Sequence, residues 1–91
     1  MNLEEIRKKI DVLDENITNL LVERMEITKQ VAEFKKENNL PVFQPEREQK
    51  VLEKVSALAG DEYGIYISEI YKSMMNQSKK NQEKYLNEKY L

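Results

Sequence analysis

The sequence predicts an all-α fold of three helices, one of them very long, paired into an intertwined antiparallel homodimer. Three observations carry this. Breakers are scarce, with 2 Gly and 2 Pro in 91 residues, while 35% of the chain is charged and helix-favouring Glu, Lys, Leu and Ile abound. From Met1 to Leu40 there is neither Gly nor Pro. Within that stretch apolar residues recur at alternating spacings of three and four, the pattern of a helix with one apolar seam.

The first helix is expected over about residues 3–38. Its seam is Leu3, Ile6, Ile10, Leu13, Ile17, Leu20, Ile27, Val31 and Phe34, and the one polar slot in the series holds Arg24. Asn38-Asn39 ends it and Leu40-Pro41 enforces the stop. A second helix is expected over about 45–59. Pro45 suits its first position, and Glu46 and Glu48 suit its first turn. Val51, Leu52, Val55 and Leu58 form its stripe, and Gly60-Asp61 breaks it. A third helix is expected over about 62–86, with Tyr66, Ile67, Ile70, Tyr71, Met74 and Met75 as its stripe. From Lys79 onward the chain is mostly polar, and the repeat Glu-Lys-Tyr-Leu at 83–86 and 88–91 reads as chance or as a fraying helix end. A single domain over 1–91 follows.

Length decides the quaternary expectation. A helix of ~36 residues is ~54 Å long, whereas a compact chain of this size has a radius of gyration of ~12 Å. The two shorter helices cannot cover such a rod, so its seam calls for a second copy, most simply with the long helices antiparallel about a two-fold axis. The alternative is an extended monomeric hairpin, which leaves an apolar seam in water.

Composition narrows the chemistry. There is no Cys, which excludes disulfides and thiolate chemistry, and no His, which excludes an imidazole base and a His-based metal site. The two glycines, Gly60 and Gly64, cannot form a phosphate-cradling loop. Net charge is −2 with cations and anions interleaved, which argues against nucleic acid or an anionic membrane as partner. No run of ~18 apolar residues is present, and Met1-Asn2-Leu3-Glu4-Glu5 lacks the pattern of a signal peptide. A cytoplasmic location is the expectation.

Several polar residues then stand out. Arg24 lies seven residues from both Ile17 and Val31 on the seam, where an unpaired guanidinium costs several kcal/mol if buried. It needs an anion: a carboxylate from another helix, or a ligand. Lys35 is 11 residues further on, within ~20° of the same face and ~16 Å away. Thr28, Val31 and Ala32 lie between them and none is bulky, so the pair frames a notch with a cation at each end. Arg7 is 17 residues from Arg24 and is out of reach in its own chain. In an antiparallel pair centred near residues 18–20, however, it faces about residues 29–33 of the other copy, inside the notch. On the third helix the stripe continues into Ser78 and Gln82, either a solvated end or a pair of donors aimed inward. Arg47 and Glu48, in the first turn of the second helix, offer one more cation and an acceptor, or are ordinary surface charges.

These residues and spacings together resemble the all-helical, type II chorismate mutase family. The matching stretches are Ile6 to Asp14, Leu20 to Arg24, Val31 to Lys35, Pro41 to Glu48, and Ser78 followed by Gln82. Each motif is weak alone; the ordered set, which reaches to about residue 86, is specific. The resemblance implies rearrangement of chorismate to prephenate, in phenylalanine and tyrosine biosynthesis, by a homodimeric isomerase that needs no cofactor. Arg24 and the Arg7 supplied by the second copy would bind the two carboxylates of the dianionic substrate. Lys35 and Gln82 would donate to the ether oxygen and Glu48 would accept from the ring hydroxyl. Arg47 and Ser78 would complete the carboxylate contacts. Gln44 departs from the Asp that many relatives carry, at a position thought to act largely through its backbone.

Two rival readings share parts of this pattern. Isochorismate pyruvate lyase has the same fold but tends to lack equivalents of Glu48 and Ser78. A non-catalytic helical dimerisation module would use Arg24 and Lys35 in structural ion pairs.

Overall fold

The computed structural model describes residues 1–90 and consists of α1 (Leu3–Glu37), α2 (Pro45–Ala59) and α3 (Gly64–Lys89), with no strand among the described residues. Asn2 caps α1 by accepting from the Glu5 N–H at 2.9 Å, with Glu4 and Glu5 in the first turn, where the helix dipole favours anions. At the other end Asn38 donates to the Phe34 carbonyl at 2.8 Å. Asn39 takes the left-handed conformation (φ 56°) that stops the helix. Pro45 opens α2 as expected from its fixed φ.

The turn between α2 and α3 depends on both glycines. Gly60 closes α2 at φ 87°, a conformation costly for residues with a Cβ. Gly64 starts α3 against α2 so closely that a Cβ there would lie 2.7 Å from Ser56 Oγ and 2.9 Å from Ser56 O. This contact sets the tight α2–α3 hairpin.

α3 begins two residues later and ends three residues later than the span read from the sequence. Its last turns do not fray. The Tyr85 hydroxyl and the Lys89 ammonium both donate to Glu33 of α1, and Lys29 lies 5.5 Å from the Tyr85 ring centre. Tyr85 of the first Glu-Lys-Tyr-Leu copy and Lys89 of the second therefore dock α3 on α1, while Leu91, the end of the second copy, lies outside the described residues.

α3 packs against both α1 and α2, but only over the C-terminal half of α1. The protomer measures 54 × 28 × 14 Å, with a radius of gyration of 16.3 Å, well above the ~12 Å of a compact chain of this length. Its buried core is small: Ala32, Val55 and Met75, with Ser78 and Gln82 as buried polar residues. The seam residues Leu3, Ile10, Leu13, Ile17 and Leu20 are all exposed in the protomer, as are Leu58, Tyr66 and Ile70 from the stripes of α2 and α3. No described helix is long and apolar enough to cross a membrane.

Candidate active site

Helical spacing brings two stripes face to face. On α1, Arg24, Thr28, Val31 and Lys35 succeed one another at four, three and four residues, so they share one face. On α3, Met75, Ser78, Lys79 and Gln82, spaced three, one and three residues apart, also share one face. The first turns of α2 bring Arg47, Glu48 and Val51, and the segment before it brings Val42 and Gln44. All of these residues line one half-open pocket of about 160 Å³. Seven of the eight site residues expected from the sequence thus meet in one place; Arg7 lies ~25 Å away along α1 and is exposed.

The pocket is strongly cationic. Arg24, Lys35, Arg47 and Lys79 face a single carboxylate, Glu48, for a formal charge of +3 in a chain whose net charge is −2. Among the described residues only Lys79 of these cations has an ion-pair partner, with its Nζ 3.0 Å from one Glu48 oxygen. The carboxylate that Arg24 would need in a purely structural role is therefore not supplied within the described protomer. Lys35 Nζ donates to the Val42 carbonyl at 2.8 Å, which tethers the segment before α2 over the notch. Burial pushes the Lys35 ammonium below the usual lysine range, partly offset by the charge of Glu48.

The polar residues on α3 are turned inward. Ser78 and Gln82 are only 3% and 5% exposed, so the solvated-end reading does not hold. Gln82 Nε2 donates to Ser78 Oγ at 3.1 Å, Ser78 Oγ–H to Thr28 Oγ1 at 3.3 Å, and Thr28 Oγ1–H to the Met25 carbonyl at 2.9 Å. Gln82 Oε1 is buried without a hydrogen-bond partner among the described residues. Such an atom typically costs about 1–3 kcal/mol, a cost retained where a site awaits a donor.

Gln44 lines the pocket while its side-chain Nε2 donates to the Pro41 carbonyl at 2.8 Å. That side chain is thus engaged in shaping the loop. Lys79 was missed in the sequence because a lysine in a polar stretch reads as solvated. Its signal was the spacing: it falls four residues after Met75 and beside Ser78 on the inward face. Its Nζ also lies 4.3 Å from the centre of the Phe43 ring, so the ammonium sits against both that ring and Glu48.

Chemically, the pocket can hold a small anion carrying more than one negative charge. It can offer donors from Lys35 and Gln82 and an acceptor, Glu48. Its lining carries no Cys or His, and its two hydroxyls, Thr28 and Ser78, are already engaged in hydrogen bonds.

Comparison with known proteins follows the same outline. The chain is 45% identical over 62 residues to the bifunctional chorismate mutase/prephenate dehydratase of Aquifex aeolicus, covering 68% of this chain and 17% of that protein. It is 43% identical over 56 residues to the chorismate mutase of Methanocaldococcus jannaschii, covering 62% of this chain and 57% of that one. It is 37% identical over 51 residues to the T-protein of Haemophilus influenzae, covering 56% of this chain and 14% of that protein. The chain thus spans less than two thirds of the length of these curated relatives. No solved structure matches it. A family model described as chorismate mutase type II matches residues 6–83, so the chain belongs to the chorismate mutase type II family.

Proposed function

We propose that this chain catalyses the rearrangement of chorismate to prephenate, as a homodimer in which each pocket receives Arg7 from the other copy. The observation that carries the reading is the charge of the pocket: three cations without a carboxylate partner among the described residues, Arg24, Lys35 and Arg47, around a space lined by two further donors, Ser78 and Gln82. This is the complement of a compact dianion. The reaction is unimolecular and pericyclic. A ring C–O bond breaks as a C–C bond forms, with no nucleophile, no proton transfer and no redox partner.

Two physical effects supply the rate. Anchoring both carboxylates, by Arg24 with Arg47 and Ser78 at one end and by the second copy's Arg7 at the other, holds the enolpyruvyl arm over the ring. As the C–O bond stretches, negative charge accumulates on the ether oxygen. Donors already fixed at that point, Lys35 and Gln82, stabilise it with little reorganisation, each contributing on the order of 3 kcal/mol to the barrier. Glu48 accepts from the ring hydroxyl and fixes the orientation of the ring. Gln44 shapes the loop and contributes its backbone. Relatives named for prephenate dehydratase activity as well fit a product passed on toward aromatic amino acids.

The dimer is supported by surface area. The protomer exposes 7409 Å², about 1,900 Å² more than a compact monomer of its mass. An excess of that size is what an obligate interface removes from each partner.

The test is loss of chorismate absorbance with purified protein, run beside a sizing column and beside isochorismate as an alternative substrate. Turnover of chorismate by a dimer is expected; pyruvate release from isochorismate instead would favour the lyase. Shared sites are tested by mixing Arg7→Ala with Arg24→Ala. Heterodimers then carry one intact pocket, and random reassortment restores about a quarter of wild-type activity. A mixture no more active than its components would exclude a shared pocket.

A further inference from the structure

The chain of hydroxyls beneath Gln82 has a direction, and Thr28 sets it. The Thr28 hydroxyl has one proton, and it goes to the Met25 carbonyl at 2.9 Å, an atom that can only accept. Thr28 Oγ1 is therefore left as an acceptor, and Ser78 donates to it across 3.3 Å. With its own proton spent, Ser78 presents only a lone pair to Gln82, which meets it with Nε2 at 3.1 Å. The side-chain amide is thereby held with its NH₂ group on Ser78 and its second Nε2 proton unused by any described residue.

The orientation is not the one Gln82 would choose to satisfy itself. Its Oε1 is buried with no partner among the described residues. Turning the amide over would bring Oε1 to Ser78, but Ser78 could donate to it only by withdrawing its proton from Thr28. The relay thus holds a buried pocket-lining amide in the sense that presents Nε2, a donor, rather than Oε1 to Ser78.

We infer that Thr28 is a positioning residue: through Ser78 it fixes the amide of Gln82 as a hydrogen-bond donor. This rests on the proposed mutase reading, in which Gln82 must donate to an oxygen gaining negative charge. Thr28 also lines the pocket, so direct contact with substrate is the competing explanation, and the experiment separates the two.

Thr28→Val removes the hydroxyl at nearly constant volume, and Thr28→Ser keeps it. Steady-state kinetics on chorismate are measured for both, for Gln82→Ala, and for the double variant Thr28→Val/Gln82→Ala. Thr28→Val is expected to lower kcat about tenfold, the loss of one oriented hydrogen bond, with KM within about twofold. Thr28→Ser recovers most of that loss, and in the Gln82→Ala background Thr28→Val has no further effect on kcat. Equal kcat for Thr28→Val and wild type, or multiplied losses in the double variant, would overturn the inference. A second readout is independent of turnover: the Gln82 side-chain NH₂ resonances, assigned through Gln82→Ala, should shift and exchange faster with water in Thr28→Val but not in Thr28→Ser. If wild type leaves chorismate untouched, the mutase reading fails whatever these resonances do. If the resonances are unmoved in Thr28→Val, the relay fails even in an active enzyme.

Discussion

Lys79 of α3 holds both oxygens of Glu48 on α2, its Nζ 3.0 Å from one and 3.3 Å from the other. The pair joins the two helices at the rim of the pocket, with each side chain about three-quarters shielded from solvent. It also offsets the single negative charge in a pocket proposed to hold a dianion. Glu48 remains an acceptor, but its repulsion of carboxylates is masked. In Lys79→Met the unmasked charge should raise KM for chorismate about fivefold, the equivalent of ~1 kcal/mol, with kcat close to wild type. Added salt should narrow the difference. An unchanged KM at low ionic strength would show that the pair does no more than join α2 to α3.

Lys35 should make the proposed reaction sensitive to alkali. Desolvation lowers its pKa, and the charge of Glu48 only partly restores it. The sign follows directly. The charged form is disfavoured on folding, so this cost to stability is fully present at low pH. It is relieved as pH rises through the depressed pKa toward that of an ordinary lysine. Activity runs the other way, because the proposed donor is the ammonium. kcat/KM should decline at a pH below the usual lysine range, and kcat at a higher pH, since a bound dianion favours the protonated form. Lys35→Arg should abolish this alkaline decline even if it lowers the rate. Rate profiles in pH steps for both proteins check it, and coincident alkaline limbs in kcat and kcat/KM would contradict it.

Gln82 donates at every ordinary pH, so the wild-type profile should be broad through neutrality. In Gln82→Glu the donor exists only while the carboxyl is protonated. Burial at this position raises the pKa of such a carboxyl, so activity should be highest in acid and fall toward neutrality by about a hundredfold or more. A profile superimposable on wild type would remove Gln82 from the transition state.

Arg24 separates catalysis from architecture. It has no carboxylate within ion-pair distance among the described residues, so Arg24→Met removes a half-buried charge without stranding another. The melting temperature should stay the same or rise, while kcat/KM falls by at least about a hundredfold. A large loss of stability would instead make Arg24 a structural residue.

The fold was legible because its determinants are local. Heptad-like spacing, the absence of Gly and Pro before Pro41, and the placement of Asn39, Pro45 and Gly60 each act within a turn or two of chain. Periodicity alone also put Arg24 and Lys35 on one face of α1, and Ser78 and Gln82 on one face of α3. What it could not decide was which apolar stripes close within one chain. Val55 and Met75 are buried, whereas Leu58, Tyr66 and Ile70, equally apolar, are not, since burial depends on how the helices cross. Nor could spacing show that the third helix ends by docking on Glu33, or that Lys79 turns toward Glu48. Hydrogen-bond direction lay further still from the sequence. A threonine and a serine 50 residues apart become one relay only when α3 lies along α1, because a proton is committed by the distance and angle to its acceptor, and only tertiary packing sets these.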